Sequence, residues 1–338
     1  MYLMKSQRSK MKILNYVLYI LSFILGSTIT LFFISIEDRD GLGDGDVFAK
    51  LKHKVSLQNI SNRYFLLILI ISKPDNIERR NTIRNTWLQF VKDDSSVKSF
   101  FVIGAGGLND AQQMKLKDEY SENKDILSLT SIPDSYGNLT SKILSSFVLL
   151  EKEYTFKFLL KCDDDSFVQA SVITKELKAK HRDEEYLYWG YFDGRAHVKR
   201  SGKWKEEDWF LCDRYLPYAL GGGYVLSEPL VKFIARNAEL LKMYKSEDVS
   251  VGVWLAPLSI KRLHDQRFDT EFISRGCLNK HLVTHKHSNR VLRHLYSETV
   301  THGRMCTQEV MSRPSYNYNW QAPPSLCCNR NESTILVH

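Results

Sequence analysis

Three consecutive aspartates, Asp163, Asp164 and Asp165, directly follow an apolar run with the pattern of a buried strand. Side chains alternate along an extended chain, so we expect Asp163 and Asp165 on one side and Asp164 on the other. One divalent cation beside the first and third carboxylates would then be able to hold a diphosphate. An EF-hand is excluded, because Phe167 and Val168 stand where that loop needs an oxygen ligand and a glycine. This aspartate triplet predicts a cation site; the alternative is an acidic turn at a strand end.

A second pair of carboxylates, Glu247 and Asp248, begins an apolar segment with the pattern of a helix. We call it the acid pair. Glu247 can raise the proton affinity of its neighbour Asp248, as a general base requires. The alternative is a helix-start carboxylate that only complements the helix dipole.

A run of three glycines, Gly221, Gly222 and Gly223, leads into a predicted strand. Such a run indicates that a ligand or a second backbone approaches too closely for any side chain.

Strand and helix patterns alternate through the region that carries the triplet. They predict strands at 64–71, 99–103 and 126–129 and one ending at Asp163, and helices at 78–90, 110–122, 139–153 and 170–180. This order is typical of an α/β protein with an open sheet and helices on both faces. Ligands of such sheets bind beyond the carboxyl ends of the strands, where the triplet lies. After residue 186 the sequence becomes irregular and aromatic, which suits either sugar rings or the packing of loops.

The amino-terminal region predicts a membrane anchor. Residues 13–36 carry no charged side chain. As a helix, this segment is long enough to cross a hydrocarbon layer of about 30 Å. Basic residues precede this span and acidic residues follow it, so residues 1–12 are expected in the cytosol. Residues 37–62 then form a lumenal stem and 63–338 a lumenal catalytic domain. A cleaved signal peptide is the alternative, but no Ala-x-Ala pattern follows the span.

Charge and cysteine content narrow the possible partners. The net charge of +8 is spread without a long basic run, which argues against nucleic acid. Six cysteines allow fifteen complete pairings, and their spacing fits no zinc motif. Asn59, Asn138 and Asn331 each begin a glycosylation sequon, as suits a secretory compartment.

Four blocks together resemble the beta-1,3-glycosyltransferase family, whose members transfer galactose or N-acetylglucosamine from a UDP-sugar. They are residues 78–87, the aspartate triplet, residues 221–227 and residues 246–252. Residues 220–227, 264–271 and 320–328 further resemble the galactosyltransferase II branch. The resemblance implies the GT-A fold, Mn²⁺, a Golgi membrane location and UDP-galactose as donor. It also implies a proteoglycan core protein carrying galactosyl-xylose as acceptor.

The same resemblance implies roles for individual residues. Asp165 and His285 would bind the metal directly, with His281 and His287 as neighbours able to substitute for His285. Asp163 would orient the donor or bind the metal through water, and Asp164 would contact the donor or shape the turn. The family also places the Asp248 carboxylate against the acceptor hydroxyl, which makes Asp248 the candidate general base. We assign Glu247, Gly222 and Gly223 to acceptor binding.

Arg80 and Arg84, after the first strand, are expected to meet either UDP or a structural carboxylate. One alternative function is that of a glycosidase, which would also use paired carboxylates but no diphosphate-binding cation. A glycosyltransferase with another donor or acceptor, or a non-catalytic lumenal glycan-binding protein, are the remaining alternatives.

Overall fold

A computed structural model describes residues 63–330. The predicted tail, membrane span and stem, and the sequons at Asn59 and Asn331, lie outside these residues. Within the described range, no helix combines the length and apolar character that a bilayer crossing requires.

Seven strands form a central mixed sheet in the order β3-β2-β1-β4-β7-β6-β8. The first four are parallel, β7 runs antiparallel between β4 and β6, and β8 is parallel to β6. The mixed α/β sheet expected from the sequence is thus confirmed. The strands are β1 (Arg63–Ile71), β2 (Val97–Gly106), β3 (Ile126–Pro133), β4 (Thr155–Asp163), β6 (Leu187–Asp193), β7 (Tyr218–Ser227) and β8 (Lys261–His264).

Seven α-helices lie in the described region, and α3 packs against α5. They are α1 (Ile77–Arg84), α2 (Asp110–Asn123), α3 (Leu139–Glu153), α4 (Ala170–Lys180), α5 (Glu228–Arg236), α6 (Glu247–Leu255) and α7 (Asn289–His302). Three 3₁₀ turns lie at Trp87–Val91, Tyr136–Asn138 and Pro324–Leu326.

The helix predicted at 78–90 is broken in two. The α-helix ends at Arg84, and a 3₁₀ turn begins at Trp87. At the break, the Thr86 hydroxyl donates to the Thr82 carbonyl at 2.7 Å. Such side-chain bonds compete with helix continuation, and the break lets Trp87 become fully buried.

The aromatic region after residue 186 is more regular than expected. Tyr188, Trp189, Tyr191 and Phe192 lie in β6 and are fully buried. These four rings therefore pack the core, and the irregular chain is confined to the segment between β6 and β7.

Two small sheets complete the fold. One contains β5 (Phe167–Val168), β11 (Val283–Thr284) and β9 (Phe268–Asp269), and the other pairs β10 (Gly276–Cys277) with β12 (Val310–Met311). Disulfides join Cys277 to Cys306 and Cys327 to Cys328. Cys162 is a buried free thiol and Cys212 an exposed one.

Arg80 and Arg84 belong to a structural ion-pair network. Arg80 is 1% exposed and donates to both Glu119 carboxylate oxygens at 2.7 and 2.6 Å. Arg84 donates to both Asp125 oxygens at 2.8 Å and also to Glu119. Neither arginine lines the cavity described below. Of the two alternatives, the structure thus supports structural carboxylate partners and corrects the assignment of both arginines to donor binding.

We predict that Arg80→Met lowers the free energy of unfolding by about 3–5 kcal/mol, because it leaves Glu119 buried with a lost partner. The measurement is equilibrium unfolding in urea. Arg236→Met is the matched control, since Arg236 pairs with Glu151 on the exposed surface and its loss should cost under about 1 kcal/mol. Equal effects of the two substitutions would contradict the proposed importance of the buried network.

Candidate active site

A cavity of about 630 Å³ lies at the carboxyl end of β4, within the size range of small-molecule sites. Segments far apart in sequence line it: the end of β4, the glycines of β7, the start of α6 and the chain after β11. The lining includes Asp163, Asp165, Gly221, Gly222, Glu247, Asp248, His285, Tyr136, Lys203, Trp204, Phe272 and Lys286.

The aspartate triplet divides as its alternation predicts. Asp163 and Asp165 line the cavity, whereas Asp164 does not. Asp164 accepts hydrogen bonds from Ser72 Oγ at 2.8 Å and Asn76 Nδ2 at 2.9 Å. Asp164 therefore ties the turn after β4 to the segment between β1 and α1.

Asp165 has the features of a carboxylate that needs a cation. Its Oδ1 is buried without a hydrogen-bond partner. Burial, followed by the nearby Asp163 and Asp164 carboxylates, raises the pKa of Asp165 to about 6. A cation would satisfy the unpaired oxygen and favour the ionised form.

Strand pairing brings His285 to the same cavity. β5 follows the triplet and pairs antiparallel with β11, which ends just before His285. The ring lies against Gly222, and its Nδ1 is 3.2 Å from the Asp269 carbonyl oxygen. Burial lowers the pKa of His285, which favours the neutral imidazole that binds metals. The neighbours His281 and His287 do not line this cavity.

Asp163, Asp165 and His285 supply carboxylate oxygen and imidazole nitrogen, donor types that suit Mn²⁺. The three side chains share one cavity, yet nowhere in residues 63–330 do three His, Cys, Asp or Glu groups already converge as a ligand set. The residues fit the metal in chemical type, and Asp165 fits it through its unpaired oxygen.

The acid pair contacts β4 through a buried lysine. Lys161 Nζ donates to Glu247 Oε1 at 2.5 Å and to Asp163 Oδ1 at 2.8 Å. Tyr224 donates to Glu247 Oε2 at 3.0 Å. Burial raises the pKa of Glu247 to about 7 despite Lys161, and Asp248 adds to the rise.

Asp248 is the more accessible member of the pair. Its Oδ2 accepts from the Gly221 amide at 2.9 Å, and its Oδ1 accepts from the Val249 amide at 2.9 Å. Burial raises the pKa of Asp248, against the opposing effects of Lys161 and these two amides. A partly exposed carboxylate with raised proton affinity is suited to accept a proton from a bound hydroxyl.

The glycine run makes room for side chains of the site itself. A Cβ on Gly221 would lie 2.9 Å from Glu247 Oε1, one on Gly222 2.8 Å from His285 Cδ2, and one on Gly223 2.8 Å from Val283 Cγ1. Side chains of the site, rather than a second backbone, thus lie where each Cβ would be, and Gly221 and Gly222 also line the cavity. Gly223 does not line the cavity, so its assignment to acceptor binding is corrected.

Aromatic and basic side chains form the rim of the cavity, and most were missed by sequence reasoning. The Trp204 ring meets Tyr136 and Phe272 edge to face, with centroids 6.4 and 5.9 Å apart. Lys203 Nζ lies 4.2 Å from the Trp204 centroid, and Phe272 is 70% exposed. Only the general aromatic enrichment of this region pointed to Trp204. Lys161 was also missed, although a lysine inside an apolar strand was a visible signal.

Comparison with known protein families identifies the family of this chain. The model of the family described as Galactosyltransferase matches residues 78–266, more than half of the 338-residue chain. The chain belongs to the galactosyltransferase family. The resemblance read from the four sequence blocks is thereby confirmed, and this galactosyltransferase family member is a glycosyl-transferring enzyme.

Two curated relatives and one solved structure illustrate the similarity. Beta-1,3-galactosyltransferase 6 of Mus musculus is 45% identical over 271 residues, covering 79% of this chain and 83% of the relative. UDP-GalNAc:beta-1,3-N-acetylgalactosaminyltransferase 2 of Xenopus tropicalis is 31% identical over 194 residues, covering 57% of this chain and 39% of the relative. The WbbM bifunctional glycosyltransferase aligns with a TM-score of 0.37 and 11% identity over 60% of this chain and 39% of its own.

We predict that Glu247→Gln flattens the pH dependence of stability. The carboxyl of Glu247 ionises near 4.5 when the chain is unfolded but near 7 when it is folded. Between these pH values the folded protein holds the extra proton, so Glu247 makes the free energy of unfolding fall as pH rises. Removing this group should make the fall less steep between about pH 4.5 and 7.

Urea unfolding at a series of pH values measures this slope. Glu185→Gln, which neutralises an exposed carboxylate, should reproduce the wild-type slope. Parallel curves for wild type and Glu247→Gln would show that Glu247 does not retain its proton in the folded state.

Proposed function

We propose that this protein is an inverting beta-1,3-galactosyltransferase with a GT-A fold that moves galactose from UDP-galactose to the galactosyl-xylosyl-serine linker of proteoglycans. The observation that carries the proposal is the meeting of the aspartate triplet and the acid pair in one cavity. Membership of the galactosyltransferase family and the similarity to the mouse beta-1,3-galactosyltransferase 6 support it. The donor and acceptor come from the sequence resemblance.

Inversion requires a base on one face of the galactose and the leaving diphosphate on the other. Asp248 removes the proton of the acceptor hydroxyl while that oxygen bonds to the galactose C1. The bond from C1 to the phosphate oxygen breaks at the same centre, and UDP departs with its electron pair. Asp248 ends the step protonated, and release of this proton to solvent restores the base.

The donor lies on the side of Asp163 and Asp165 in this proposal. Asp165, His285 and Asp163 would hold Mn²⁺, which supplies Lewis-acid neutralisation of charge on the diphosphate. The Asp165 oxygen that lacks a partner supports this assignment. Asp163 also has 39% of its side chain exposed, so it can contact the donor while bonded to Lys161.

The acceptor lies toward the acid pair and the aromatic rim. Trp204, Tyr136 and Phe272 present faces and edges on which sugar rings pack. Gly222 lines this part of the cavity, and Glu247 underlies it. An acceptor sugar held against these groups would bring its hydroxyl to Asp248.

We further propose a Golgi membrane location, with residues 13–36 as a single-pass anchor and the catalytic domain in the lumen. The charge asymmetry around residues 13–36 supports this orientation. The disulfide between Cys277 and Cys306 suits an oxidising compartment.

The experiment that tests the function is a matrix of UDP-sugar donors and glycoside acceptors, assayed with the full-length protein and Mn²⁺. We expect transfer with UDP-galactose and a galactosyl-xyloside, and linkage analysis should identify a beta-1,3 bond. A protein that binds glycans yet releases no UDP would instead be the non-catalytic alternative. A different productive donor or acceptor would replace the substrates proposed here.

Transfer should require a divalent cation, because the aspartate triplet and His285 are proposed to bind the donor through one. We expect excess EDTA to abolish transfer and added Mn²⁺ to restore it, as measured by UDP release. Undiminished turnover in EDTA would rule out the metal-binding role of Asp163, Asp165 and His285.

Asp248→Asn should keep UDP binding but lower kcat by about 10²–10⁴-fold, since the amide cannot accept the proton. Calorimetric titration with UDP and initial-rate measurements separate the two effects. Asp193→Asn is the matched control, because Asp193 also lines the cavity, and it should change kcat less than about tenfold. Wild-type turnover in Asp248→Asn would remove Asp248 as the base.

A further inference from the structure

Lys161 is a fully buried cation that takes no part in the reaction described above. It lies in β4, two residues before Asp163, and is 1% exposed. Its Nζ donates to Asp163 Oδ1 at 2.8 Å, the Gly221 carbonyl at 2.6 Å and Glu247 Oε1 at 2.5 Å. These acceptors belong to three different elements: β4, β7 and α6.

All three N–H donors of the ammonium are thus occupied by protein atoms. No donor remains for a substrate, so Lys161 acts on the site through the groups it holds. Burying an ammonium costs several kcal/mol unless its partners compensate well. Such a cation in an apolar strand therefore has to be matched by the carboxylates around it.

We propose that Lys161 is a positioning residue that holds Asp163 on the donor side and Glu247 on the acceptor side as one rigid unit. This inference rests on the proposed function. The unit also extends to the base. The Gly221 carbonyl accepts from Lys161, while the Gly221 amide donates to Asp248 Oδ2. One glycine residue therefore connects the ammonium to the Asp248 carboxylate.

Loss of the ammonium would release this arrangement at three points. Asp163 and Glu247 would lose the donor that they share, so their separation would no longer be fixed. The Gly221 carbonyl would lose its donor, and β7 would be free to shift against α6. Displacements of about 1 Å at reacting groups cost on the order of 10²-fold in rate.

The test uses Lys161→Met in the full-length protein, with kcat expressed per folded molecule. We expect kcat with UDP-galactose and the galactosyl-xyloside to fall about 100-fold. Lys142→Met is the matched control, because Lys142 is also a buried lysine, bonded to the Ser72 carbonyl at 2.5 Å and Asp134 at 2.7 Å. This control should lose stability yet keep kcat within about threefold of wild type.

A double-substitution cycle separates positioning from general stabilisation. Residues that act as one unit have strongly non-additive effects on rate. We therefore expect Lys161→Met with Glu247→Gln to be at most about tenfold slower than Glu247→Gln alone. If Lys161→Met fails to fold, the double variant, which lacks both charges of the buried pair, is compared with Glu247→Gln alone, and a further loss of about 100-fold would contradict the inference.

Three results would overturn the inference: wild-type kcat in folded Lys161→Met, an equal loss of kcat in Lys142→Met, or fully multiplicative losses in the cycle. These outcomes differ from failure of the proposed function. If wild-type protein transfers no galactose with Mn²⁺ to any acceptor, the function fails before the variants are compared.

Discussion

The carboxyl end of β4 brings four carboxylates close to one buried ammonium group. Asp163, Asp165, Glu247 and Asp248 line one cavity, and Lys161 is the buried cation among them. In a medium of low dielectric constant such an excess of carboxylates must bind protons or a metal cation. Burial, with the neighbouring carboxylates adding to it, raises the pKa of Asp165 to about 6 and that of Glu247 to about 7. Both side chains therefore bind protons more tightly than free carboxylates do.

The rest of the fold brings these carboxylates together and keeps them close. The triplet follows the parallel strand β4, at the edge of the sheet where ligands bind, and the antiparallel β7 places its glycines beside it. Two short strand pairings, Val283 with Val168 and Thr284 with Phe167, bring His285 next to the triplet. A few backbone contacts in the small sheet therefore determine where a candidate metal ligand lies.

Local patterns predicted the elements that depend on local forces. Strand alternation placed Asp163 and Asp165 together and Asp164 apart, and periodicity located α2, α3 and α4 closely. Long-range packing determined the side-chain partners that local sequence patterns do not predict. Arg80 could have met a phosphate or a carboxylate, and only the position of α2 shows that Glu119 is its partner.

The same limit applies to the glycine run, whose need for space was visible but whose neighbours were not. The apolar run before the triplet concealed the role of Lys161, because its partners come from β7 and α6. The aromatic residues of β6 were read as irregular because burial on both faces removes alternation.

The position of β7 between β4 and β6 also limits how this protein can diverge. Cys162 pairs with Gly223 and Lys161 with Tyr224 of β7, and Tyr224 also pairs with Gly190 of β6. A one-residue shift of this register would turn the paired side chains of β7 to the opposite face. Homologues that acquire new acceptors are therefore expected to vary in length between β6 and β7, while the strand itself keeps its length over evolutionary time.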